Sequence, residues 1–162
     1  MFRTFAIGGL AALTLATAGL AQTPPTVKSI EVDVELDAIG NPAAAAYWTT
    51  VADDLENAIV ARITDQISDD GVDIRIDLEE VSLSGGMTEK LGLAETRLVG
   101  DVVMNHETDG ARYGRYELTV DINSATPMIP ADVDVTTIPA DSRVYYDSMI
   151  ATFADGVVER LK

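Results

Sequence analysis

Residues 98–120 read LVGDVVMNHETDGARYGRYELTV, and this stretch decides how the chain folds back on itself. Apolar and polar residues alternate on both sides of the segment NHETDG, which spans residues 105–110. Alternation with a period of two is typical of half-buried β-strands, and a glycine in a short polar segment is typical of a turn. The stretch therefore predicts two antiparallel strands, Leu98–His106 and Ala111–Ile122, joined by a hairpin.

The length of the turn determines which residues of the two strands face each other. A three-residue loop over 108–110, with Gly110 in a left-handed bulge position, is a common hairpin connection. It places Leu98 opposite Val120, so that the apolar residues of both strands share one face. A two-residue loop would set the two apolar faces against each other, which a half-buried sheet does not tolerate. The three-residue turn is therefore favoured.

The letters NHETDG also resemble the start of a calcium-binding loop. Such a loop needs a bidentate Glu at its twelfth position, and counting from Asn105 this position holds Tyr116. The hairpin interpretation is therefore preferred. In the hairpin the single histidine, His106, lies opposite Arg112 at the rim of the core face. This placement indicates a structural residue, because no orienting partner for catalysis is near it.

Two further segments alternate with a period of two and are predicted to be strands, Ile30–Leu36 and Val72–Leu78. Between them, apolar residues recur every three or four positions up to Ile67. This pattern predicts a helix over Ala43–Ile67 with one apolar stripe that begins with Trp48. Gly71 is expected to take the left-handed conformation that often follows the end of a helix.

The second half of the chain contains three weaker signals. The apolar phase slips at Glu79-Glu80, which predicts a β-bulge. Val133 and Val135 alternate with aspartates in a proline-containing connector, which suggests a short edge strand. A last helix is expected to begin at Asp141 or Ser142. Its apolar stripe consists of Tyr145, Met149, Phe153, Val157 and Leu161.

The predicted order of elements is β-α-β-β-β-α. A strand, a helix and a strand in succession favour a parallel pair with a right-handed crossover, whereas the hairpin is antiparallel. Strands with one polar face need cover on the other face only, so both helices are expected on the same side. The prediction is an α+β fold, a two-layer sandwich with a mostly antiparallel sheet and two helices on one face.

The N-terminus has the layout of a secretory signal peptide over residues 1–21. One cation, Arg3, precedes an uncharged run from Thr4 to Ala21, and small residues occupy Gly19 and Ala21. Cleavage between Ala21 and Gln22 would leave a single domain, residues 22–162, with no membrane insertion. An uncleaved anchor is less favoured, because the run is rich in small residues and only marginally long enough to span a bilayer.

The chain has 27 acidic and 11 basic residues, a formal net charge of −16, one histidine and no cysteine. A field of this sign repels nucleic acid and anionic membranes, so a basic protein or a cation is the expected partner. The alternative is that the charge serves solubility alone. The lack of cysteine excludes thiol catalysis and, with one histidine, most zinc and copper sites. No phosphate-binding loop, dinucleotide fingerprint or nucleophile elbow is present, so no cofactor is expected.

The polar face of the predicted sheet is the candidate functional surface. Its candidate partner-binding residues are Glu31, Asp33, Glu35, Asp73 and Asp77. In the predicted register Asp101 faces Glu117, and these two residues are the candidate ligands for a cation. Like charges directly opposite each other destabilise a sheet, but Arg115 on a diagonal would offset this effect.

Two functions are consistent with these features. The leading hypothesis is a non-enzymatic accessory or binding module of the bacterial envelope, periplasmic or secreted, with an open acidic sheet face. The alternative is a small periplasmic hydrolase that uses paired carboxylates, because the many acids offer many pairs. No aromatic residue accompanies the acids in the sequence, which argues against sugar stacking. A shallow face would favour the first function and a deep pocket with two converging acids the second, while the oligomeric state stays undetermined by the sequence.

Overall fold

The computed structural model describes residues 25–34, 48–82, 97–134 and 143–161. These residues form β1 (Val27–Val34), α1 (Val51–Arg62), β2 (Val72–Ser82), β3 (Arg97–Asn105), β4 (Gly114–Asp121), α2 (Ile122–Ala125) and α3 (Arg143–Glu159). The strands form one sheet in the order β1-β2-β3-β4, with β1 parallel to β2 and the other pairs antiparallel. The predicted α+β fold with a mostly antiparallel sheet is confirmed, and the short α2 is an addition to it.

Several predictions lie outside the described residues. They concern the signal segment and its cleavage site, the start of the first helix, and the cap of the last helix at Asp141 or Ser142. Glu35 and Val135 also lie outside them. Among the described residues, no helix combines the length and the apolar character that crossing a membrane requires.

The core lies between α1 and α3 on one side and one face of the sheet on the other. Alternate residues of β2, such as Ile74, Ile76 and Leu78, are buried against the helices. The predicted stripe of the last helix is confirmed, and all its members are buried: Tyr145, Met149, Phe153, Val157 and Leu161. Gly100 of β3 provides room for this helix, because an added Cβ atom would lie 3.0 Å from Cζ of Phe153. The opposite face of the sheet carries no helix in the described structure and is called the open face.

The first helix ends earlier than the apolar period predicts. The amide of Ile63 donates to the carbonyl oxygen of Val60, a three-residue spacing that ends the α-helical pattern. The guanidinium of Arg62 donates to the carbonyl oxygen of Ala58 and pairs with Asp155 of α3, which holds this helix end in place. Ile67 therefore does not extend the apolar stripe as predicted. It is exposed and forms an isolated parallel bridge with Val27.

Gly71 has a different structural role from the predicted one. It lies nine positions after the end of α1 and does not adopt a left-handed φ. Instead its Cα packs against the backbone of β1, where an added Cβ atom would lie 2.4 Å from the carbonyl carbon of Val27 and 2.5 Å from the nitrogen of Lys28. Glycine is required here because two segments of backbone approach each other closely.

The register between β3 and β4 is the predicted one, with Leu98 opposite Val120 and Met104 opposite Gly114. The predicted bulge near Glu79 is also confirmed, as the pairing of β2 with β3 shifts between Leu78 and Glu80. The three-residue turn is wrong. The strands end at Asn105 and resume at Gly114, and the connection contains a short 3-10 helix over Gly110–Arg112.

Asp121, the last residue of β4, caps the short helix α2. Asp121 accepts a hydrogen bond from the amide of Ser124, while the hydroxyl of Ser124 accepts one from the amide of Asp121, which together form a capping box. The amide of Ser124 and its hydroxyl both donate to the Asp121 carboxylate and hold the pKa of Asp121 below its ordinary value of 3.8. The predicted edge strand at Val133 is wrong within the described residues, because residues 131–134 form a turn stabilised by the bond from the amide of Val133 to the carbonyl oxygen of Pro130.

Candidate functional site

Four carboxylates form one transverse row across the open face. Asp33 of β1 lies opposite Asp77 of β2, and Asp77 lies opposite Asp101 of β3. Asp101 in turn lies opposite Glu117 of β4. All four side chains alternate with residues that face the helices, and neighbouring strands are about 4.8 Å apart, so the row is about 14 Å long. This set is called the carboxylate row.

Only part of the negative charge in the carboxylate row is neutralised. The guanidinium of Arg115 pairs with Asp101, as the predicted diagonal contact requires. The hydrogen bond to Asp101 raises the pKa of Arg115 above its ordinary value. Within the described ranges, no cation pairs with Asp33, Asp77 or Glu117. Because like charges in directly opposite positions repel, the row costs stability unless a ligand or counterions offset it.

The next row of the open face contains two arginines. It consists of Glu31, Arg75, Val103 and Arg115, which lie opposite one another on the four strands. Arg75 donates to the Glu31 carboxylate at 2.7 Å, and this bond raises the pKa of Arg75 above its ordinary value. This set is called the arginine row. Its two cations are already paired with Glu31 and Asp101, so it is close to neutral.

A third row, called the pocket row, consists of Ser29, Asp73 and Asn105. The hydroxyl of Ser29 donates to the Asp73 carboxylate at 2.5 Å. The pocket row and three members of the arginine row, Glu31, Arg75 and Val103, line a depression of about 650 Å³ that is open to solvent. Tyr113, which is 58% exposed, forms one wall next to Val103. An aromatic ring therefore lies beside these acids, contrary to the expectation from the sequence. The argument against sugar stacking, which relied on the lack of such a ring, no longer holds.

The position of Tyr113 depends on the connection between β3 and β4 and was not predicted. In the predicted hairpin it would belong to a strand, whereas it follows the 3-10 helix and precedes β4. The only signal in the sequence is an aromatic residue among polar neighbours directly after a turn. Such a residue is often exposed and available for binding.

The predicted site residues are brought together only in part. Asp33 and Asp77 belong to the carboxylate row, Glu31 to the arginine row, and Asp73 to the pocket row. Asp101 and Glu117 are adjacent, but no group of three or more histidine or acidic side chains in the described residues is close enough to hold a metal ion. A metal ion at Asp101 would also compete with Arg115 for the carboxylate.

His106, which was predicted at the rim of the core face, is buried, with 8% of its surface exposed. Its Nδ1 atom accepts hydrogen bonds from the amides of Thr108 and Asp109, at 3.3 and 3.1 Å, so the ring proton is assigned to Nε2. Nε2 lies 3.4 Å from the Asp70 carboxylate, a neighbour that the sequence did not reveal. Nδ1 is occupied by the two amides, and Nε2 is buried and makes no hydrogen bond within the described structure. His106 therefore organises the connection between β3 and β4.

Comparisons with known proteins give a weak likeness of fold. No protein-family model matches the sequence, and no curated protein matches it. The structure is similar to that of the PelC dodecamer from Paraburkholderia phytofirmans, with a TM-score of 0.39 and 12% identity over 85% of this chain and 95% of that one. It is also similar to a candidate lipoprotein from Caulobacter crescentus CB15, with a TM-score of 0.38 and 17% identity over 82% and 86% of the two chains. Likeness at this level carries no information on function.

Proposed function

We propose that this chain is an exported, non-enzymatic binding module of the bacterial envelope whose open face binds a cationic partner. The observation that carries the proposal is the carboxylate row, in which Asp33, Asp77 and Glu117 have no paired cation among the described residues. A row of adjacent like charges is costly to keep in a sheet, and a basic partner would relieve the repulsion. The signal-like segment before Gln22 supports export to the periplasm or beyond.

The shape and charge of the open face suit a protein partner with basic side chains. The face has no covering helix in the described structure, and Asp33, Asp77 and Glu117 are exposed on it. The overall charge of −16 would attract a basic partner from a distance and speed its association at low ionic strength. Salt should weaken the complex, because the charges are on the surface and are screened over about 10 Å at 0.1 M ionic strength.

The experiment is a calorimetric titration of residues 22–162 with pentalysine at low salt. The test variant carries Asp33→Asn, Asp77→Asn and Glu117→Gln, and the control carries Asp53→Asn, Asp65→Asn and Glu159→Gln on exposed positions outside the open face. Both variants lose three negative charges. Surface ion pairs are worth up to about 1 kcal/mol each, so the test variant should bind about tenfold more weakly while the control changes little. Equal weakening by both variants would reject the open face as the binding site.

A hydrolase remains a second candidate because Glu31 and Asp73 line the same depression. Paired carboxylates of this kind can act as acid and base in glycoside hydrolysis. The pairing of Glu31 with Arg75 and the openness of the depression favour binding over catalysis. The test is an assay of the purified chain against neutral oligosaccharides. Turnover that Asp73→Asn abolishes would establish the enzyme and reject the binding module.

A further inference from the structure

The three rows of the open face carry different amounts of negative charge. On β2 the residues are Asp73, Arg75 and Asp77, one from each row, and all three side chains are directed to the same face. Once the ion pairs are counted, the arginine row is close to neutral. In the described structure, one carboxylate of the pocket row and three of the carboxylate row belong to no ion pair. The surface is therefore a pattern of charges rather than a uniform acidic field.

The depression beside the pocket row fits one long basic side chain. Tyr113 and Val103 provide an aromatic and an aliphatic wall for a methylene stem. The Asp73 carboxylate, whose hydrogen-bond partner is the uncharged hydroxyl of Ser29, can accept from an ammonium or guanidinium group. The face of an exposed tyrosine ring also attracts cations. Tyr113 and Asp73 together therefore suit a lysine or arginine side chain.

The spacing between the pocket row and the carboxylate row determines which partner can contact both rows. Asp73 and Asp77 are four residues apart on one strand, which corresponds to about 13 Å. A partner segment in an extended conformation covers the same distance in four residues, and its side chains at i, i+2 and i+4 point in one direction. The side chain at i+2 then lies over Arg75 and Arg115, which are already paired with Glu31 and Asp101, so a basic group there gains no carboxylate partner.

We propose that the open face selects an extended segment of a partner protein with basic residues at i and i+4 and a non-basic residue at i+2. The first basic side chain occupies the depression at Tyr113 and Asp73, and the second lies over the carboxylate row. This proposal rests on the proposed function, since it specifies the partner of the same face. It adds a sequence rule that a uniformly acidic surface would not impose.

The test compares two pentapeptides with the same composition and net charge by NMR titration against residues 22–162. Lys-Thr-Glu-Thr-Lys has the proposed pattern, and Lys-Thr-Lys-Thr-Glu places the second lysine at i+2. The first should bind about fivefold more tightly, because it places a lysine over the carboxylate row where the second peptide places a glutamate. Tyr113→Ala should weaken binding of the first peptide about threefold, while Tyr113→Phe, which keeps the ring, should not.

The outcomes separate this proposal from the proposed function. If pentalysine binds through the carboxylate row but the two pentapeptides bind equally, the charge pattern is refuted and the binding module stands. If pentalysine does not bind through the row, the proposed function itself fails. Tight binding of a neutral pentasaccharide that Tyr113→Ala abolishes would assign the depression to carbohydrate and overturn the proposal.

Discussion

Asp77 of β2 lies directly opposite Asp101 of β3, with both carboxylates on the open face. Asp101 is compensated by Arg115, whereas Asp77 also faces Asp33 on its other side and pairs with no cation in the described part of the chain. The centre of the sheet therefore holds a carboxylate between two others.

The first prediction is that Asp77→Asn stabilises the folded chain. Removing the central charge relieves repulsion on both sides, worth about 0.2–1 kcal/mol in a cross-strand pair. Urea unfolding should show a higher midpoint with an unchanged slope. Asp101→Asn is the matched comparison and should give no such gain, because Arg115 loses its partner. A lower midpoint for Asp77→Asn would show that this carboxylate stabilises the sheet instead of straining it.

The second prediction concerns two glycines that the sequence pattern treats alike. Gly71→Ala should cost about 3 kcal/mol, since overpacking typically costs 1–3 kcal/mol and here the obstacle is backbone that cannot move aside. Gly110→Ala should change the free energy of unfolding by less than about 0.5 kcal/mol, because Gly110 has open space around it and no left-handed φ. Thermal unfolding of both variants provides the measurement. Similar costs at the two positions would contradict the close approach of residues 27 and 71.

The third prediction concerns acid stability at the cap of α2. The pKa of Asp121 is lowered in the folded chain, so its contribution to the free energy of unfolding is complete above about pH 5 and is lost as the pH falls through the folded-state pKa. Ser124→Ala keeps the amide that donates to the Asp121 carboxylate but removes the hydroxyl that also donates to it, so the pKa of Asp121 should rise part of the way toward 3.8. Ser124→Thr keeps a hydroxyl and should preserve the lowered value. Carboxyl carbon shifts followed by NMR give the pKa of Asp121 in both variants, and an unchanged pKa in Ser124→Ala would refute the bond from the Ser124 hydroxyl to the Asp121 carboxylate.

The fourth prediction is that the exported chain begins at Gln22. The uncharged run after Arg3 and the small residues Gly19 and Ala21 match a signal peptide and its cleavage site. Intact-mass measurement of protein secreted by a bacterial host should show the mass of residues 22–162. Ala21→Pro is expected to block cleavage and serves as the control. Recovery of the full chain in the membrane fraction would instead support an uncleaved anchor.

The layers and most of the sheet could be predicted because they follow from apolar periodicity. The register between β3 and β4 depends only on which face is buried, so Asp101 and Glu117 could be placed opposite each other from the sequence. The connection between those strands could not be predicted. It depends on His106, whose Nδ1 atom accepts two backbone hydrogen bonds and which is buried beside Asp70, a residue distant in sequence.

The full carboxylate row could not be predicted from the sequence for a similar reason. Placing Asp33 and Asp77 opposite each other requires the register of a parallel pair, which contains an irregularity between Val27 and Ser29. Extending the row to Asp101 requires the exact position of the bulge after Leu78. The position at which α1 ends also depends on tertiary contacts. Arg62 holds this end against α3, although the apolar period of the sequence continues to Ile67.

The binding role of the carboxylate row is tested by locating where a polycation binds the chain. Residues 22–162, labelled with nitrogen-15, are titrated with pentalysine at low ionic strength and followed by backbone NMR. We expect the largest shift changes at Asp33, Asp77, Asp101 and Glu117, and we expect high salt to remove them. Changes centred on α1 and α3, or spread evenly over all exposed acids, would contradict the claim that the carboxylate row is the binding site.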